Sequence, residues 1–76
     1  MAKLTQRQAD TLAFIKMYII ENGFPPTRAE IGDQFNVGDQ AAQWRVEKLI
    51  ALGAIERLSS KSRSIRPVKG FRVRIK

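Results

Sequence analysis

Apolar residues recur at helical spacing along most of this chain, and the period changes once, after Gly53. Leu12, Ile15 and Ile19 are three and four apart, which predicts a first helix ending at about Asn22, with Gly23 as its left-handed stop. Thr5 and Gln8 form a capping box at its start. Ala13, Met17 and Ile20 make a second apolar stripe, roughly 100° round from the first. Two fates for that stripe stand open: cover by the strand region and tail, or contact with a partner or second copy.

The chain is organised around residues 25–57. Pro25 and Pro26 forbid a helix entering from upstream, and Thr27 with Glu30 forms a second capping box. A short helix is therefore predicted over 28–35, with Ile31 and Phe35 on one face. Asn36-Val37-Gly38 breaks the period, and Asp39 is expected to cap a third helix over about 40–52. Ala42, Val46 and Leu49 form its apolar stripe, and Gly53 ends it. Two short helices joined by a tight turn, the second amphipathic, are a helix-turn-helix pattern.

Beyond Gly53, residues 54–58 and 64–68 flank the polar loop 59–63 and predict a hairpin. Pro67 restricts its second strand to an edge or ends it early. Residues 71–76 alternate apolar and basic, as a short third strand or an extended tail would. The expected fold class is mainly α with a small antiparallel β hairpin: three helices plus a wing, a winged helix-turn-helix over residues 1–68 with a basic tail over 69–76.

Charge sharpens that picture. All seven acids lie in the first 56 residues beside six bases, whereas the last twenty residues carry eight bases and no acid. Such a block is an electrostatic footprint for a polyanion, and it follows directly on the helix-turn-helix pattern. With no Cys and no His, neither a disulfide nor a typical zinc site is available, so helix packing and a small sheet must supply the core. No apolar run approaches the ~20 residues of a membrane span, and the N-terminus does not read as a signal sequence. A soluble, cytoplasmic, nucleoid-associated protein without cofactor or small-molecule ligand is expected.

With Ala42 as the inward reference, Gln43, Glu47, Gln40 and Trp44 project at about 100°, 140°, 160° and 200°. A major groove admits one helix with its N-terminal residues against base edges. Gln40 and Gln43 are the first candidates for direct readout, since a carboxamide matches adenine N6 and N7. Ala41 allows close approach or meets a thymine methyl, and Glu47 could accept from cytosine N4 or simply be solvated. Trp44 has three open placements: core, DNA side or partner anchor. Thr27 and Arg28 at the second helix, Arg45 and Lys48 beside the reading face, and Ser60, Lys61 and Arg63 at the wing tip are the candidate backbone contacts.

Several strings carry a family resemblance. The opening Leu-Thr-x-Arg-Gln, the Gly-x-Pro-Pro-Thr-Arg-Ala-Glu-Ile run at residues 23–31, the Ala41-Ala42 pair and Ser-Arg-x-Ile-Arg at residues 62–66 resemble the DNA-binding domain of the LexA family of bacterial SOS-response repressors. The resemblance covers about residues 3–67. It implies a winged helix-turn-helix, a double-stranded DNA ligand and a repressor-type role, in a bacterium or phage. Neither the self-cleavage nor the dimerisation of that family's protease-like C-terminal domain is expected to carry over, since residues 1–76 stop before such a domain would begin; Lys61-Ser62 is read as a wing dipeptide and not a catalytic dyad. The turn before the third helix is one residue shorter than is typical, and Gln40, Gln43 and Trp44 replace Asn and acidic residues. The operator cannot be borrowed.

The expected function is sequence-specific binding of duplex DNA by a transcriptional repressor or regulator, with no enzymatic activity. A homodimer, with the Ala13-Met17-Ile20 stripe and the tail as candidate interfaces, would enlarge the small DNA contact of one module. The alternative is a winged-helix module that binds a regulator or polymerase component through Trp44 and the first helix. RNA binding ranks behind both, since stacking aromatics on a sheet are lacking.

Overall fold

The computed structural model describes residues 2–58, 64–71 and 73–75, with backbone alone for residues 2, 3 and 73–75. Its elements are β1 (Ala2–Leu4), α1 (Gln6–Asn22), α2 (Arg28–Phe35), α3 (Asp39–Ala51), β2 (Ile55–Arg57), β3 (Ile65–Pro67) and β4 (Val73–Ile75). The three helices and the antiparallel hairpin of β2 and β3 make the winged helix-turn-helix that the pattern predicts.

Both capping boxes form. Gln8 N donates to Thr5 Oγ1 at 3.1 Å while Thr5 N donates back to Gln8 Oε1 at 2.9 Å. Glu30 N donates to Thr27 Oγ1 at 3.1 Å and Thr27 N to Glu30 Oε1 at 2.7 Å. Each box satisfies two donors that a helix start leaves without an intrahelical partner. Gly23, at φ 83°, ends α1 in the left-handed region.

The third helix begins differently from expectation. Gly38 occupies the cap position without any side-chain bond, and Asp39 is the first helical residue rather than the cap. Asp39 is instead paired with Arg28, Nε to Oδ2 at 3.3 Å. An acid in the first turn still complements the helix dipole, so the charge is used although the cap is not. The left-handed residue of the turn is Asn36, at φ 54°, whereas Gly38 has an ordinary extended backbone.

The core joins all three helices to the hairpin. Leu12 and Ile15 of α1, Ile31 of α2, and Ala42, Val46 and Leu49 of α3 are buried together with Leu4, Ala54, Ile55 and Ile65. Complete burial of one Leu or Ile side chain stabilises by about 1.5–3 kcal/mol relative to exposure. Gly32 makes the close helix-turn-helix contact possible. A Cβ there would lie 2.8 Å from the Val37 carbonyl oxygen and 3.7 Å from Ala42 Cβ.

In the wing, Ile55 pairs with Pro67, Glu56 with Arg66 and Arg57 with Ile65. Pro67 is the last residue of β3, so its missing N–H falls at the strand's end. Residues 73–75 do not extend this hairpin. They pair in parallel with the N-terminal strand, Ala2 with Val73 and Leu4 with Ile75, an element absent from the sequence reading. Parallel strands are joined by a long connection, here all three helices and the wing, so no local pattern reports this pairing.

The stripe of Ala13, Met17 and Ile20 remains uncovered, which overturns the reading that the tail folds over it: Met17 is 53% and Ile20 76% exposed.

Candidate nucleic-acid interface

The amphipathic division of α3 builds this surface. Ala42, Val46 and Leu49 are drawn inward by the core, which leaves Gln40, Ala41, Gln43, Trp44, Glu47 and Lys48 exposed on the opposite side. These residues share one continuous helical face beginning one residue after the helix starts. Trp44 is 61% exposed, so its core placement is excluded. Lys48 Nζ lies 4.8 Å from the Trp44 ring centroid, a cation–π contact one turn along the helix.

Arg28 crosses from α2 to this face. Besides its ion pair with Asp39, it donates from NH1 to Gln43 Oε1 at 2.7 Å. Gln43 Nε2 in turn donates to Glu47 Oε2 at 2.7 Å. Three of the expected contact residues thus form one polar chain on the exposed surface. Sequence spacing carries a signal for half of it, since Gln43 and Glu47 are four apart, but the reach of Arg28 between helices is a tertiary feature.

Arg45 is the principal departure. Expected beside the reading face, it is half-buried on the inner flank of α3. Its NH1 donates to Thr11 Oγ1 at 3.0 Å, and its guanidinium lies 4.7 Å from the Phe35 ring centroid. Burial lowers its pKa from the ordinary value, the like charge of Arg7 lowers it further, and Asp10 opposes both. A signal was available: position 45 lies about 300° from Ala42, next to the inward direction and far from Gln40. Arg45 is a link between helices and not a free cation.

Thr27 Oγ accepts the cap bond and keeps its O–H as a donor. In the basic C-terminal block, Arg57 and Lys69 are exposed, while Arg66 pairs with Glu56 across the hairpin. Ser60, Lys61 and Arg63 lie outside the described residues. Among the described residues no group of three or more Asp or Glu side chains is placed to hold a metal, and no helix is long and apolar enough to cross a membrane.

Sequence comparison agrees with this geometry. The LexA DNA binding domain family matches residues 1–64. LexA repressor 1 of Pseudomonas syringae pv. tomato is 47% identical over 75 residues, covering 97% of this chain and 37% of that protein. LexA repressor 1 of Pseudomonas putida is 49% identical over 67 residues, covering 87% and 33%. The LexA repressor of a Marinomonas strain is 49% identical over 69 residues, covering 90% and 33%. The chain therefore spans about a third of the length of these curated relatives.

Proposed function

The chain belongs to the LexA DNA-binding domain family, and from that membership we propose that it binds a specific duplex sequence in the bacterial cytoplasm and represses transcription there. The observation that carries this reading is the outer face of α3. Gln40, Ala41, Gln43, Trp44 and Glu47 stand exposed together while the other face of the same helix forms the core. A helix supported in this way can enter a major groove with its first turns against base edges.

Each group has a distinct task in this mechanism. Gln40 and Gln43 read adenine edges, Ala41 permits close approach, and Trp44 offers an apolar contact to a thymine methyl or a sugar edge. Thr27, Lys48 and the exposed bases of the wing contact phosphates, which fix register without reading sequence. None of these groups performs covalent chemistry, so the domain acts by occupancy alone.

Selection of bound duplexes from a random pool, repeated at two salt concentrations, tests the reading. One recovered motif with a steep salt dependence supports it, and salt-dependent binding without a motif reduces the domain to a non-specific binder. Absence of binding at low salt would sink it and favour a protein partner at Trp44.

The exposed Met17 and Ile20 favour a second feature, self-contact through α1 on a two-fold operator. If Met17→Asp leaves both self-association and DNA affinity unchanged, that surface plays no part in dimerisation.

A further inference from the structure

We propose that Arg28 and Glu47 lock the carboxamide of Gln43 in one flip state and thereby make it an oriented adenine reader. The inference rests on the major-groove reading of α3. Gln43 Oε1 accepts from Arg28 NH1 at 2.7 Å, and Gln43 Nε2 donates to Glu47 Oε2 at 2.7 Å. A guanidinium can only donate and a carboxylate can only accept. Turning the amide by 180° would set N–H against N–H on one side and oxygen against oxygen on the other. Both contacts that hold the present state would become repulsive.

A carboxamide has two acceptor lone pairs and two N–H donors. The chain of bonds uses one of each and leaves one of each for a ligand. The unspent acceptor belongs to the oxygen held by Arg28, and the unspent donor to the nitrogen held by Glu47. Adenine is the base that offers a donor, N6, beside an acceptor, N7, on its major-groove edge. Guanine offers two acceptors there and would set O6 against Oε1.

A mobile glutamine can satisfy either kind of partner by turning its amide, and so tolerates several bases. A locked one cannot. The fixed order of acceptor and donor also distinguishes A·T from T·A, because reversing the pair moves the adenine to the other strand. Arg28 is itself held by Asp39, Nε to Oδ2 at 3.3 Å, so the anchor is set from α2 and the first turn of α3 together. Glu47 is on this account a positioning residue, and its charge does not read a cytosine.

Binding selection with the full chain and three variants tests this. Gln43→Ala identifies the operator position that Gln43 reads, as the one whose preference disappears. At that position Glu47→Ala should cut adenine preference from roughly five- to 150-fold, the range of a good bidentate contact, to a few-fold, whereas Glu47→Gln, whose amide oxygen still accepts from Gln43, should lose less. Preference elsewhere in the motif should persist, which a general loss of folding would not produce. Thermal unfolding of the variants provides the independent check on folding. Unchanged preference at that position in Glu47→Ala would overturn the proposal, as would loss of a cytosine preference at another position. If Gln43→Ala alters no position of a recovered motif, the lock has no reader and the proposal fails while DNA reading stands. Failure of the wild-type chain to yield any motif removes the DNA-reading premise instead.

Discussion

Arg45 and Thr11, thirty-four positions apart, meet at 3.0 Å where α3 crosses α1. Thr11 is completely buried, and its hydroxyl also donates to the Arg7 carbonyl oxygen at 2.9 Å. Thr11→Val removes the acceptor while keeping the shape. It should cost about 1–2 kcal/mol, since a half-buried guanidinium N–H is left without its partner. Thermal unfolding should show a fall of roughly 4–8 °C per kcal/mol in a domain of this size. Combined with Arg45→Met, the loss should be less than the two single losses added, because both remove one contact.

Two glycines six residues apart should respond with opposite signs. Gly32→Ala in a helix interior ordinarily stabilises, yet here the new Cβ would meet the Val37 carbonyl at 2.8 Å. Overpacking against backbone should cost about 1–3 kcal/mol and loosen the turn that carries α3. Gly38 has open space and an extended backbone, so Gly38→Ser should supply the absent side-chain cap and raise stability by a few tenths of about 1 kcal/mol. Chemical denaturation of the pair reads both effects directly. A stabilised Gly32→Ala would show that the turn yields easily.

Glu30 caps α2 and also ties it to α1, because Tyr18 Oη donates to Glu30 Oε2 at 2.8 Å. Tyr18→Phe should lower stability by about 1 kcal/mol, measured as a shift in the urea midpoint with an unchanged slope.

Salt dependence should separate positioning from reading. If about six phosphates are neutralised, log K should fall against log salt with a slope near −5. Lys48→Ala should reduce that slope by about 1 with little change in sequence preference, whereas Gln40→Ala should alter preference and leave the slope alone. Arg45→Met should leave the slope unchanged, since its guanidinium is committed to Thr11 and Phe35. A shallower slope for Arg45→Met would contradict its assignment as an internal link.

What the sequence determined by itself is local. Thr5 with Gln8 and Thr27 with Glu30 set two helix starts, Gly23 set a helix end, and the period of Ala42, Val46 and Leu49 set which face of α3 is buried. These signals span one or two turns, so neighbouring residues contain all the physics they need. The exposure of the outer face of α3 followed from the same period. Tertiary structure decided everything that depends on which element comes to lie beside another. It paired Ala2–Leu4 with Val73–Ile75 as β1 and β4, turned Arg45 toward Thr11 and Phe35, and left Met17 and Ile20 open. It also brought Arg28 across to Gln43, where a long flexible cation found its acceptor only after α2 and α3 had packed. Capping and periodicity are properties of a few consecutive residues, while the partner of a long side chain is chosen by packing between segments distant in the chain.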